Sequence, residues 1–276
     1  AADLAIDADV SLGDKLADII EYAGSEAHVT ARLRDEGDNV AIELSKFESP
    51  TGDASGLLRW TNRGDRIERA YGRVDLKFAA DQLPDIQEIF GESASLETEA
   101  SYARGGYDIT ASLSAPTMSA ALANGRTDLD KTLSGHVTIK TAPDALLSPP
   151  IAGSIDLAGD LDLNEEGRIA LNSIAAALED GSTLAGDAAF TPKTKAIAFT
   201  GDLSLSPEFL KQQVSSLEAK APFVARVTAI GTTENFSLNI DGESAEALMN
   251  GAEIPAAETS ARLAGLPKEI SAAISA

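Results

Sequence analysis

Ser154-Ile-Asp-Leu-Ala-Gly-Asp-Leu-Asp-Leu163 is the stretch whose reading decides the fold. In an extended chain Ile155, Leu157, Leu161 and Leu163 share one side, while Ser154, Asp156, Asp160 and Asp162 share the other. A helix would scatter these residues around its axis, so the period of two marks a strand with one apolar and one wet face. The same alternation recurs at Leu4, Ile6, Ala8 and Val10, at Ile197, Phe199, Leu203 and Leu205, and at Phe236, Leu238 and Ile240. Strands that are apolar on one face and acidic on the other belong to an antiparallel sheet.

Turn residues separate the runs at hairpin spacing: Glu36-Gly37, Asn62-Arg-Gly64, Gly105-Gly106, Asn124-Gly125, Glu166-Gly167, Asp180-Gly181 and Asp241-Gly242. Glycine and asparagine accept the positive φ of tight hairpins, so the strands are expected to follow one another as a meander. A longer period lies on top. Closing strands such as Gly72-Arg-Val-Asp-Leu-Lys-Phe78, Gly135-His-Val-Thr-Ile-Lys140 and Gly201-Asp-Leu-Ser-Leu205 recur roughly every 60–70 residues, with about four strands per unit. Each leads into an expected short helix, at 81–90, 142–147 and 206–214, and the first run leads into another by residue 20. Proline followed by an acid, as in Ser206-Pro-Glu, suits a helix start.

This organisation divides the chain into five segments. Residues 1–23 read as the end of a truncated preceding repeat plus a helix, and 24–91, 92–149 and 150–221 as three β-repeats. Residues 222–276 read as a partial fourth with a helical C-terminal segment. Because the first segment opens inside a strand pattern, the chain is expected to be a fragment of a longer protein, any membrane anchor lying outside it. Roughly 14–16 meandering strands do not stay flat, and an elongated, curled, trough-like sheet is the expected architecture.

Composition agrees. The 276 residues are 43 % hydrophobic but only 5 % aromatic, with one tryptophan, Trp60, which suits a thin sheet better than a thick core. The formal charge is −22, a field that repels nucleic acid and anionic membrane faces. Cysteine is absent, which excludes disulfides, thiolate nucleophiles and cysteine-ligated metal. No run of about 20 apolar residues spans a bilayer as a helix.

The recurrent Leu/Ile-x-Leu-x-Gly-x-Leu/Ala pattern appears in Ile155-Asp-Leu-Ala-Gly-Asp-Leu161, and related turns of phrase in Leu184-Ala-Gly-Asp-Ala-Ala-Phe190 and Ala198-Phe-Thr-Gly-Asp-Leu-Ser-Leu205. In this texture residues 24–241 resemble the periplasmic repeat region of the TamB/AsmA-like family of Gram-negative bacteria. The resemblance implies a groove-bearing β structure in the periplasm, held to the inner membrane by a segment absent from this chain. It implies phospholipid transport between inner and outer membranes, or outer-membrane protein assembly with an outer-membrane partner met through other regions. It implies no enzymatic step.

The residues themselves offer little chemistry. His28 and His136 each stand alone on a strand, with no partner in the sequence to orient a general base. No nucleophile elbow, phosphate loop or dinucleotide fingerprint occurs. Asp156, Asp160 and Asp162 lack the loop that calcium needs and read as a solvated face that resists aggregation. No cofactor or metal is expected, nor nucleic acid as a partner.

Two surfaces remain as candidates. Ile155, Leu157, Leu161, Leu163, Leu184, Phe190, Ile197, Phe199, Leu203 and Leu205 line either an open groove for phospholipid acyl chains or the dry core of a structural or adhesive envelope protein. Groove and core obey the same alternation, and the groove is the reading that the repeat and the resemblance favour. The second is a basic, ring-bearing hairpin holding Arg59, Trp60, Arg66, Arg69, Tyr71 and Arg73, expected to meet a lipid headgroup or a protein partner. Its simpler reading is cross-strand pairing with Asp65, Glu68 and Asp75.

Overall fold

The computed structural model describes residues 2–11, 26–64, 66–79, 90–103, 105–128, 132–141, 154–266 and 271–275, with backbone alone for 10, 11, 266 and 271–275. Alternating strands joined by tight turns satisfy their backbone groups by pairing each with the next, and the chain forms the expected all-β antiparallel meander. It divides into two compact units, 1–130 and 131–276, and the boundary falls inside the 92–149 segment.

In the first unit β1 (Ala2–Ser11), β2 (Glu26–Asp35), β3 (Asn39–Ser49), β4 (Gly52–Arg63), β5 (Arg66–Ala79), β6 (Ser93–Ala103), β7 (Gly106–Ser114) and β8 (Met118–Asp128) pair in sequence order. The second unit holds β9 (Leu133–Thr141), β10 (Ile155–Leu163), β11 (Ile169–Leu178), β12 (Thr183–Thr191) and β13 (Ala196–Leu205), again in order. The meander resumes with β15 (Phe223–Thr232), β16 (Asn235–Ser244), β19 (Ala257–Leu266) and β20 (Ser271–Ser275). Neither unit closes into a barrel among the described residues.

Between β13 and β15 runs a short helix, α1 (Pro207–Gln213), where the sequence places one. Ser206 caps it by accepting from the Phe209 N–H, Pro207 opens it, and Glu208 lies in its first turn. The Ser206 N–H donates to the Ser182 hydroxyl at 2.9 Å, and Ser182 is only 2 % exposed. Next to α1, β14 (Leu217–Ala219), β17 (Ala247–Met249) and β18 (Ala252–Ile254) form a small sheet of their own, which the sequence did not signal. The other expected helices lie outside the described residues, apart from 9–11 within β1 and Phe90.

Three expectations need correction. Asn124-Gly125 is not a turn: β8 runs through it, and Asn124 at φ 53° forms a bulge opposite β7. Asp241-Gly242 likewise lies inside β16; the Phe223 ring covers Gly242, so closely that a Cβ there would sit 2.5 Å from it. The C-terminal segment is strand, not helix, in its described part. In β19, Thr259, Ala261 and Leu263 face one way and Glu258, Ser260 and Arg262 the other, and the free edge of β16 supplies the ladder. Alanine-rich sequence fits both periods there, so a waiting partner strand decides.

Among the described residues the buried apolar ones are few and mostly small: Ala27, Ala94, Ala170, Ile174, Ala225, Val227 and Ala247. A sandwich would bury leucine and phenylalanine between its layers. Here, among the described residues, most leucine and phenylalanine side chains stay half-buried or exposed.

Candidate functional site

Directly opposed residues of paired strands share a face, so the registers assemble the apolar side row by row. In the second unit one row runs Leu163, Ile169, Phe190, Ile197. The next runs Leu161, Leu171, Ala188, Phe199, Ala229, Leu238. Leu157, Ala176, Leu184 and Leu203 form a third, with Ile155 and Leu205 on the same side beyond it. All ten groove candidates thus share one face of one unit, and every one of them is half-buried.

The first unit repeats the arrangement with residues outside the ten groove candidates. Leu4, Leu33, Ile42 and Leu58 make one row, and Ala8, Val29, Phe47, Ala54, Leu76, Leu96 and Leu113 another. Leu4 is 53 % exposed and Leu58 44 %.

Glycine has a specific role on this face. Gly186 and Gly201 oppose each other at its centre, and a Cβ at Gly186 would lie 2.3 Å from the Thr200 carbonyl oxygen. A Cβ at Gly201 would lie 2.4 Å from that of Ala185. The two strands lean together on the apolar side there, a bend only glycine permits. In the Leu-x-Gly-x-Leu pattern, then, glycine takes an apolar-face position because the sheet bends there.

The basic hairpin is not one surface. Trp60 lies on the apolar face, opposite Val40 and Ala70. Arg59, Arg66, Arg69, Tyr71 and Arg73 lie on the polar face, as alternation requires of neighbours such as 59 and 60. Arg73 is engaged by Asp75 at 3.1 Å, with Glu97 and Glu99 within 3.9 and 3.7 Å, and the Asp75 carboxylate holds its pKa above the ordinary value. Arg63 reaches Glu68 at 3.8 Å. Asp65 lies outside the described residues.

The histidines do have partners. His28 Nδ1 lies 2.9 Å from Asp9 and its Nε2 3.1 Å from Asp7, and the hydrogen bond with Asp9 raises its pKa. His136 Nδ1 lies 3.0 Å from Asp160. These partners sit on the adjacent strand, so only the register reveals them. Both pairs are on the exposed polar face, and among the described residues no group of three or more metal-ligating side chains is assembled.

The polar face carries its own depressions. One of about 890 Å³ in the second unit is lined by Asp202, Arg226, Asp241, Glu243 and Glu258. Another of about 370 Å³ in the first unit is lined by Glu43, Ser45, Ser55, Arg59, Arg73 and Asp75. Set against known proteins, the chain matches no family model, no curated protein and no solved structure.

Proposed function

We propose that the chain is a non-enzymatic segment of a bacterial envelope protein whose apolar sheet face carries phospholipid acyl chains. The observation that supports this is the face itself: rows of leucine, isoleucine and phenylalanine continue from strand to strand and stay half-buried or exposed. Such a surface in water costs free energy, and each methylene it takes from a lipid tail returns about 0.8 kcal/mol. The sealed core of a structural or adhesive repeat would leave those residues buried, so the exposure favours the groove. Following the resemblance, the segment works in the periplasm, anchored to the inner membrane through a part of the protein beyond these residues. There it bridges lipid toward the outer membrane or aids an outer-membrane assembly partner.

The test is native mass spectrometry of protein purified without detergent, together with photo-crosslinkers at Leu161 and Phe199 and, as controls, at Asp160 and Thr200 on the polar face. Phospholipid is expected in the native spectrum, with adducts from 161 and 199 alone. No lipid and no adduct after exposure to phospholipid vesicles would overturn the reading.

A further inference from the structure

The polar face of the first unit gathers arginines that, among the described residues, make no ion pair. The register sets Arg34 opposite Ala41, Ala41 opposite Arg59, and Arg59 opposite Tyr71, so one row reads Arg34, Ala41, Arg59, Tyr71 across β2 to β5. Arg69 stands two residues from Tyr71, diagonal to Arg59. Two strand spacings separate Arg34 from Arg59, about 10 Å between backbones. Ala41, with no more than a methyl side chain, stands between them.

Nearby arginines are engaged: Arg32 by Asp3, Arg73 by Asp75 and its glutamates. Among the described residues, the side chains of Arg34, Arg59 and Arg69 make neither an ion pair nor a hydrogen bond, and all three are exposed. Asp3, engaged by Arg32, also lies in the field of Arg34, and the Tyr71 hydroxyl, hydrogen-bonded to Glu99, lies in that of Arg59. In a chain of charge −22, three guanidinium groups without an ion pair on neighbouring strands are unexpected unless an anion completes them.

We propose that Arg34, Arg59 and Arg69 form a binding site for a single phosphate group, seated over Ala41. Guanidinium forks match phosphate oxygens bidentately, and two arms extending from either side of a small residue reach one such group. The acids around the site set its size. Glu43 follows Ala41 by two positions on the same face, Asp3 borders Arg34, and Asp108 lies beyond Ser101 in the same row. They repel an extended polyanion and leave room for one compact charge. The site lies on the face opposite the proposed acyl path, so it stands or falls independently of that reading.

The experiment titrates inorganic phosphate into the whole chain at low salt, following the arginine Nε–H resonances by NMR. A parallel arm measures co-sedimentation with phosphatidylcholine vesicles containing phosphatidylglycerol. Saturable binding in either arm that weakens about tenfold or more in Arg34→Gln/Arg59→Gln, but not in Arg226→Gln of the second unit, is the expected result. Binding of inorganic phosphate identifies a free phosphate ligand, and binding of vesicles alone a lipid headgroup. Unchanged circular dichroism shows that the double variant is folded. No binding in either arm, or binding indifferent to Arg34→Gln/Arg59→Gln, overturns the proposal.

Discussion

The two units share a plan but treat their apolar face differently. In the first, several large residues stand clear of it, Leu4, Ile6, Ile42, Leu58 and Val74 being exposed, while Leu33, Phe47, Trp60 and Leu76 are half-buried. In the second, the corresponding residues are mostly half-buried, Ile169 at 37 % being the exception. Glycine accounts for the shelter of particular residues. In the second unit the Phe199 ring lies over Gly201, Leu171 over Gly159 and the Phe223 ring over Gly242, each close enough that a Cβ would be at 3.0 Å or less. A large side chain beside a glycine folds down onto bare backbone and covers itself. In the first unit Leu122 lies over Gly125 in the same way, at 3.0 Å from where a Cβ would be, while Leu58 stands only loosely against Gly72, at 3.7 Å. Among the described residues, apolar side chains thus gain shelter by folding onto bare glycine backbone.

Substitution at these glycines is the strongest way to break the contrast. Gly201→Val drives side-chain atoms into the Ala185 carbonyl and the Phe199 ring, and is expected to destabilise the second unit by about 4 kcal/mol or more. Gly72→Ala in the first unit meets nothing closer than ordinary contact, and is expected to change stability by less than about 1 kcal/mol. Urea unfolding of both variants measures the pair, and equal effects would refute the account of the bend.

A smaller effect belongs to the second unit alone, where α1 is tied to the sheet through two serines. Ser182→Ala leaves the Ser206 N–H buried without its acceptor, at an expected cost of about 2 kcal/mol. Ser206→Ala removes the cap for about 1 kcal/mol. Thermal unfolding followed by hydrogen exchange in 206–214 separates loss of the tie from global loss.

The smallest effect concerns pH and the first unit. Asp9 and Asp7 raise the pKa of His28 above its unfolded value near 6.5. Protonation is therefore favoured by folding, and the stabilisation is complete below pH 6.5 and lost as pH rises through the raised value. His28→Gln removes that dependence. Stability measured against pH for both proteins is expected to converge on the alkaline side, and parallel curves would exclude the linkage. Exposure keeps the size small.

Much of this architecture is legible in the amino-acid sequence. Alternation at Ile155–Leu163 defines a strand and its two faces, and it places Arg59 and Trp60 on opposite sides, a consequence missed when the basic hairpin is taken as one patch. Helix α1 is announced by Ser206-Pro-Glu, because capping is a local matter. Turn chemistry identifies most hairpins, but Asn124-Gly125 and Asp241-Gly242 show its limit: a bulge and a covering ring use the same residues as a turn.

Register belongs to the tertiary structure. Which residue stands beside which across two strands depends on bulges such as those between Thr30 and Ala31 and between Leu44 and Phe47, each shifting all pairings beyond it. That register brings Asp9 to His28, and Arg34 and Arg59 to either side of Ala41. The sequence by itself determined a meander with one apolar and one acidic face, since both follow from a period of two within each strand. Only the packing of strand on strand decided how far the large apolar residues are covered, where paired glycines meet, and which arginines stand beside which, because each depends on neighbours distant along the chain.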